Sequence, residues 1–131
     1  MSAAAKMPIN MSLAEDTVLS VQDVSIIYRT KRGHLKASNH ISFDLKKAEA
    51  LALIGESGSG KTTVSLSLID MLPKNAEITG GKVFYQRGGK TYNIYEFSPA
   101  EMRRFRWRDC AMVFQGAQNA FNPVLKVRDH F

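Results

Sequence analysis

The amino-acid sequence predicts an α/β fold that carries an antiparallel β arm, and three patterns predict it. Residues 50–54 and 111–114 are short, nearly continuous apolar runs, as in central parallel strands covered on both faces. Residues 61–72 place apolar side chains at helical spacing soon after the first run. Residues 17–28 and 41–45 alternate apolar and polar side chains, which is typical of half-buried strands.

The composition fits one domain or part of one. Of the 131 residues, 44% are hydrophobic and 23% are charged, which supports a core and argues against wholesale disorder. A net charge of +6 suits nucleic acid, anionic lipid or a phosphate ligand, and equally a plain basic protein. No run approaches the roughly 20 apolar residues that span a bilayer.

Cys110 is the one cysteine of the chain. A disulfide or a cysteine-rich metal site within one chain is therefore excluded, and a reducing compartment fits best. Because Cys110 adjoins an apolar run, we expect a small core residue rather than a reactive thiol.

The N-terminal part of the chain predicts a tail followed by the first strands. Residues 1–16 are predicted to be a loose tail, since they hold one lysine and no apolar segment of a secretory signal. Strand 17–28 changes the parity of its alternation at Gln22 and Asp23, which predicts a bulge or a break there. Residues 29–33 predict a polar turn.

The helix at residues 61–72 is predicted to be buried on more than one side. Pro73 ends it, because proline cannot continue the hydrogen-bond ladder. Its main apolar stripe consists of Val64, Leu68, Met71 and Leu72.

The segment after the helix predicts a β hairpin. Gly80 and Gly81 indicate a turn, and a strand begins at residues 83–85. Residues 87–90 predict the hairpin tip, from which residues 92–95 return antiparallel.

A capping box predicts a further short helix. Ser98 and Glu101 stand three residues apart, with Pro99 at the first helical position. Met102 and Phe105 share one face and are expected to be buried. The other side carries Arg103, Arg104, Arg106 and Arg108. These arginines could track a nucleic-acid backbone, but we favour a solvated basic face.

The motif G-x-x-x-x-G-K-[ST] is met in full by Gly55, Gly60, Lys61 and Thr62, between an apolar run and a helix. Glycines permit the left-handed dihedrals that turn successive N–H groups inward, and the helix N-terminus adds its positive end. Lys61 can reach β- and γ-phosphates, and the Thr62 hydroxyl can ligate Mg²⁺. The sequence therefore predicts a nucleoside triphosphate site in a partial P-loop NTPase core.

Residues 54–63 (Ile-Gly-Glu-Ser-Gly-Ser-Gly-Lys-Thr-Thr) resemble the Walker A motif of ATP-binding-cassette (ABC) ATPases. Residues 112–115 resemble that family's strand leading into the Q-loop, and Asn122-Pro123 resembles a signature of its oligopeptide/dipeptide and nickel importers. The resemblance covers residues 17–131. It implies that they form the N-terminal part of an ABC-type nucleotide-binding domain, from Walker A to just past the Q-loop.

The resemblance implies roles for individual residues. Tyr28 corresponds to the aromatic residue that stacks on adenine, the alternative being an ordinary core aromatic. Gln115 corresponds to the catalytic glutamine that meets Mg²⁺ and the attacking water, the alternative being a plain loop residue. Gly116 and Ala117 depart from the acidic residue and proline that many members carry next. The implied ligands of Mg²⁺ are Thr62 and Gln115. The residues implied to bind ATP, besides Tyr28, are Gly55, Glu56, Ser57, Gly58, Ser59, Gly60, Lys61, Thr62 and Thr63.

Parts of the family's catalytic machinery do not occur in these 131 residues, which hold no Leu-Ser-Gly-Gly-Gln signature, no apolar strand ending in Asp-Glu and no downstream switch histidine. We therefore expect the N-terminal half of an ABC ATPase domain, which alone binds ATP weakly or not at all and does not hydrolyse it. His34, His40 and His130 lack metal-ligand spacing, so we expect no metal site besides that of Mg²⁺.

The resemblance also implies a biological setting. The complete protein would couple ATP binding and hydrolysis to uptake of peptides or related solutes, at the cytoplasmic face of the membrane. Its implied partners are integral membrane permease subunits and a second ATP-binding subunit, with no nucleic acid expected. One alternative is a non-catalytic nucleotide-binding module that needs a partner for the missing half. Another is a P-loop kinase or nucleic-acid ATPase, which the Q-loop context disfavours.

Overall fold

The computed structural model describes residues 13–114, 116, 126 and 128. Most of the predicted tail at residues 1–16 lies outside that part. The elements in chain order are β1 (Thr17–Thr30), β2 (Gly33–Lys46), α1 (Lys61–Leu68), β3 (Ala76–Arg87), β4 (Lys90–Asn93), a 3₁₀ turn (Ile94–Glu96) and α2 (Pro99–Arg108).

The four strands form one antiparallel sheet in the order β2-β1-β3-β4, which is the predicted β arm. The predicted bulge is confirmed, because the pairing of β1 with β2 shifts between Val21 and Val24 and Asp23 adopts a φ of 56°. One hydrophobic core joins the sheet to α2 and to the residue after α1. Its buried members are Val21, Val24, Ile26, Ile69, Val83, Ile94, Met102 and Phe105.

β2 is much longer than the strand predicted at residues 41–45. It pairs with β1 from Thr17 opposite Lys46 to Thr30 opposite Gly33, so the polar turn predicted at residues 29–33 narrows to two residues. The first four residues of β2 are exposed, and no hydrophobic alternation marks them. Pairing with the edge of β1 therefore extends β2 into residues whose sequence does not predict a strand.

Gly80 and Gly81 lie inside β3 and not in the predicted turn. Gly81 adopts a φ of 88°, and a Cβ on it would lie 2.5 Å from the carbonyl oxygen of Asp23. The register of β1 and β3 shifts between Gln22 and Ser25, directly opposite. The glycines therefore make room for the bulge of β1. The turn prediction was wrong because the backbone freedom of glycine suits a strand opposite a bulge as well as a turn.

The hairpin tip is confirmed by the pairing of Arg87 with Lys90. The return strand is as long as the predicted residues 92–95 but begins and ends two residues earlier, since β4 spans Lys90–Asn93. The Asn93 side-chain oxygen accepts the backbone N–H of Tyr95 at 3.2 Å, which favours the 3₁₀ turn over a continued strand.

α1 ends at Leu68, four residues before the predicted end at Leu72. Asp70 adopts a φ of 51°, which no α-helix contains. Arg106 donates Nε–H to the carbonyl of Ile69 and Nη2–H to that of Asp70, each at 2.7 Å. These bonds satisfy the carbonyls outside the helix. They also remove Arg106 from the solvated basic face to which the sequence assigned it.

The capped helix α2 is confirmed. Ser98 Oγ accepts the N–H of Glu101, and the Glu101 carboxylate accepts the N–H of Ser98 at 2.8 Å. The predicted buried residues Met102 and Phe105 are 4% and 3% exposed. Trp107 adopts a φ of 70°, so regular helical geometry ends before it.

The two apolar runs predicted as buried parallel strands form no strand and are mostly exposed, although Met112 packs in part against the core. Residues 50–54 belong to no strand, and Ile54 is 94% exposed. Residues 111–114 likewise form no strand, and Val113 is 88% exposed. A central parallel strand needs neighbours on both edges and helices on both faces. The described residues provide neither for these runs.

Candidate functional site

The glycine-rich loop bends back on itself directly before α1. Gly58 and Gly60 adopt φ angles of 82° and 89°, in the left-handed region that glycine tolerates. The N–H of Ser59 donates to the carbonyl of Glu56 at 3.2 Å and closes the turn. A Cβ on Gly60 would collide with the backbone carbonyl of Ala37 in β2, so only glycine fits there.

The N-terminus of α1 opens at this loop. Gly60 is the N-cap residue and provides no side-chain cap, and the first helical bond runs from Val64 N–H to the Gly60 carbonyl at 3.0 Å. The N–H groups of residues 61–63 therefore have no helical acceptor. Such N–H groups, with the positive end of the helix dipole, favour an anion.

Lys61 lies across the loop. Its Nζ donates to the carbonyls of Gly55 and Glu56 at 2.7 and 2.6 Å, and to Ser59 Oγ at 3.1 Å. Within residues 13–114, no carboxylate pairs with this ammonium group. The Lys61 charge is therefore uncompensated by the described residues and adds to the attraction for an anion.

Thr62 and Thr63 have different environments. Thr62 is exposed, so its hydroxyl can reach a ligand. Thr63 is 8% exposed, and its Oγ1 is hydrogen-bonded to the Tyr28 hydroxyl at 3.1 Å. This bond ties the end of β1 to the first turn of α1 and brings Tyr28 beside the loop.

One open cavity of about 370 Å³ contains Tyr28 and most of the loop. The structure thus brings together the aromatic and the phosphate-loop residues that the sequence singled out far apart in the chain. It adds Leu35, Lys36 and Ala37 of β2, which sequence reasoning missed because the predicted strand began only at residue 41. Lys36 adds a second cation to the cavity lining.

The residues present fit a nucleoside triphosphate with Mg²⁺. At Gly60 the loop has no room for a Cβ. The N-terminus of α1 has no side-chain cap, and Lys61 and the exposed Thr62 hydroxyl lie beside it. The predicted catalytic and Mg²⁺-binding residue Gln115 lies outside the described residues, as does the importer signature Asn122-Pro123.

The remaining predicted features lie outside the cavity at the phosphate loop. Cys110 is half-buried against the core, and burial raises the pKa of its thiol, as expected of a small core residue. His40 Nδ1 lies 2.6 Å from Asp23 Oδ1 at the surface. Among the described residues, no three histidine, cysteine or acidic side chains gather as a metal site. No helix in that part is long and apolar enough to cross a membrane.

The family profile and the similar proteins all point to ABC transporters. The sequence profile of the ABC transporter family matches residues 38–130. The chain is 36% identical over 114 residues to the dipeptide transport ATP-binding protein DppD of Caldanaerobacter subterraneus, covering 87% of this chain and 34% of that protein. It is 38% identical over 115 residues to DppD of Bacillus subtilis, covering 87% and 33%.

A third relative is the glutathione import ATP-binding protein GsiA of Salmonella typhimurium. The identity is 35% over 123 residues, which are 92% of this chain and 20% of that protein. The chain spans about a third of the length of the DppD relatives. The family profile covers well over half of the chain and includes the whole phosphate loop. This chain therefore belongs to the ABC transporter family.

Proposed function

We propose that residues 17–131 are the ATP-binding part of an ABC importer motor subunit, which in the complete protein couples ATP binding and hydrolysis to the uptake of peptides or related solutes. The observation that carries this proposal is the shared cavity of Tyr28, Lys61 and the uncapped N-terminus of α1. It combines a ring for a base with a cradle for phosphates, in a chain of the ABC transporter family.

Each residue has a proposed task. The N–H groups of residues 57–63 and the ammonium group of Lys61 bind the phosphates, and the Tyr28 ring stacks on adenine. The Thr62 hydroxyl and Gln115 hold Mg²⁺, which supplies neutralisation of the phosphate charge when bound. Gln115 also orients the attacking water.

Lys61 must leave its present acceptors to serve a nucleotide. Phosphate oxygens carry more charge than the loop carbonyls that now accept from Lys61 and are stronger acceptors, which favours the exchange.

Calorimetric titration of the 131-residue chain with ATP and Mg²⁺ tests the site. We expect Lys61→Ala to weaken binding about tenfold or more, because it removes a charge-assisted contact. Lys74→Ala, an exposed lysine outside the cavity, is the matched control and should change little. Equal effects of the two variants would contradict the proposed role of Lys61.

A pair of variants at Tyr28 separates stacking from anchoring. Tyr28→Phe keeps the ring and removes the bond to Thr63, whereas Tyr28→Leu removes both. If the ring stacks on adenine, Phe should keep most of the ATP affinity and Leu should lose about 1–3 kcal/mol. A loss of the same size with Phe would assign the whole effect to the hydroxyl.

The names of the relatives support a peptide-importing system, since they read dipeptide transport and glutathione import. We infer permease subunits and a second ATP-binding subunit as partners, and a peripheral position at the cytoplasmic face of the membrane. Affinity capture of the full chain from solubilised membranes of its source, followed by mass spectrometry, tests the partners. Recovery of no integral membrane subunit would count against the importer assignment.

A second candidate is a non-catalytic nucleotide-binding module that completes its domain with a partner. The exposure of Ile54 and Val113, in two runs patterned for burial, favours it. We expect no steady ATP turnover by the chain alone, because the sequence lacks the signature motif and an Asp-Glu strand end. Turnover abolished by Lys61→Ala would contradict this expectation. Turnover gained by adding the C-terminal two-thirds of Bacillus subtilis DppD would support completion in trans.

A further inference from the structure

A second groove, of about 410 Å³, lies on the β arm between the β3–β4 hairpin and α2. None of its lining residues lines the cavity at the phosphate loop. Its volume falls in the range of about 300–1,000 Å³ that small-molecule sites occupy. The family resemblance and the proposed ATP site leave this groove without a role.

The floor of the groove is aromatic. Tyr85 and Phe97 each contact Phe105 edge to face, with ring centroids 5.1 and 5.7 Å apart, and Tyr92 contacts Phe97 at 6.2 Å. Phe105 is 3% exposed and anchors the cluster in the core. The other three rings are half-buried, so they keep surface that a planar ligand can cover.

The rim of the groove is cationic. Four basic side chains line it, namely Arg87, Lys90, Arg104 and Arg108, against the carboxylates of Glu101 and Asp109. Asp109 is paired with Arg87 at 3.0 Å, and Glu101 is held by Ser98 in the capping box. Within residues 13–114, the other three cations form no ion pair. The rim therefore carries uncompensated positive charge over an apolar floor.

We propose that this groove binds a small aromatic anion, for which an aryl phosphate is the best-matched class. The half-buried rings offer stacking and edge contacts to a planar group. Guanidinium groups offer paired N–H donors to phosphate oxygens. A neutral aromatic compound would leave the cations unused, and a small inorganic anion would leave the floor unused.

The test titrates 1-naphthyl phosphate into the full ¹⁵N-labelled chain and follows backbone amide shifts by NMR. Inorganic phosphate and neutral 1-naphthol are the comparison probes. Binding in the groove moves amides of residues 85–92 and 101–109, whereas binding at the phosphate loop moves those of residues 57–63. Binding of the probe at the two sites is therefore distinguished in one spectrum, and the ATP site is tested separately by the titration with ATP and Mg²⁺.

We expect saturable shifts in the groove with 1-naphthyl phosphate and much weaker ones with either comparison probe. Arg104→Gln should weaken this binding about fivefold, since it removes the charge-assisted hydrogen bond between an exposed guanidinium group and the phosphate. Arg103→Gln is the matched control, because Arg103 is the adjacent exposed residue and does not line the groove. Both side chains are exposed, so neither change should unfold the chain.

The proposal is overturned if groove amides show no saturable shift, or if either comparison probe binds as tightly as 1-naphthyl phosphate. It is also overturned if Arg103→Gln weakens binding as much as Arg104→Gln does. Tyr92→Leu gives an independent check, since it removes a floor ring and keeps every charge. Undiminished affinity in that variant would exclude a role for the aromatic floor.

Discussion

The β arm and the two apolar runs at residues 50–54 and 111–114 all carry sequence patterns typical of buried strands, yet their apolar residues lie in opposite environments. Val24, Ile26 and Val83 of the arm are fully buried, whereas Ile54 and Val113 are 94% and 88% exposed. The arm's strands are antiparallel, and each of them pairs with another described strand. Parallel strands need crossover partners, which the described residues do not provide. An apolar run thus indicates residues suited to a buried strand, but the run becomes one only where neighbouring strands pair with it.

The largest expected effect comes from truncating one isoleucine in each region. Ile26→Ala should lower the free energy of unfolding by about 2–4 kcal/mol, because it opens a cavity in the core. Ile54→Ala should change it by less than about 0.5 kcal/mol. Urea unfolding followed by circular dichroism measures both. A cost above about 1 kcal/mol at Ile54 would break the comparison, since the run would then be buried in solution.

The next effect concerns the contact between the loop and the arm. Gly60→Ala should cost about 2–3 kcal/mol and abolish ATP binding, because the residue is left-handed and its Cβ meets the Ala37 carbonyl. Gly88→Ala is the control, since Gly88 has a φ of 56° and open space around it, and should cost about 1 kcal/mol. Thermal unfolding and ATP titration of both variants would sharpen the contrast. Equal losses would mean that the loop does not rest on β2.

Arg106 links α2 of the arm to the residues directly after α1. Arg106→Ala should cost about 1–2 kcal/mol, because two carbonyls at the end of α1 lose their donors. Arg103→Ala on the same helix should cost less than about 0.5 kcal/mol. Urea midpoints of the two variants provide the measurement. If the two arginines prove interchangeable, α1 does not depend on this contact with the arm.

Trp107 lies near the end of α2, shortly before the apolar run at residues 111–114. It is 86% exposed and has a φ of 70°, a conformation that strains a bulky residue. Trp107→Gly should therefore raise the free energy of unfolding by about 1 kcal/mol, net of the glycine's greater chain entropy. A shift in the thermal midpoint measures it. Destabilisation would indicate that the indole packs on the run after all.

The smallest expected effect is chemical and concerns Cys110 at the same junction. Burial raises the pKa of its thiol, so alkylation by iodoacetamide at pH 8 should be slower in the folded chain than in urea. Because the unfolded chain ionises first, this thiol's contribution to stability is lost as pH rises through the folded pKa. Mass spectrometry of the time course measures the rates. Equal rates would place Cys110 outside the core.

The sequence predicted the local features that depend on a few neighbouring residues. The capping box at Ser98 and Glu101, the bulge at Asp23 and the hairpin tip near Arg87 were all found where their residue types indicated. The failures involve distant partners. The carbonyls of Ile69 and Asp70, directly after α1, accept from Arg106, which is 37 and 36 residues away, and β2 is lengthened by pairing with β1. No local pattern contains such contacts.

By itself the sequence determined the phosphate-loop motif, because its glycines, lysine and threonine serve one chemistry at one spacing. Only the tertiary structure decided what surrounds that loop. It brought Tyr28 to Thr63, set Gly60 against β2 and formed an aromatic groove from residues of the hairpin and α2. The physical reason is range: backbone conformation follows from adjacent residues, whereas a site also needs side chains that only packing brings together.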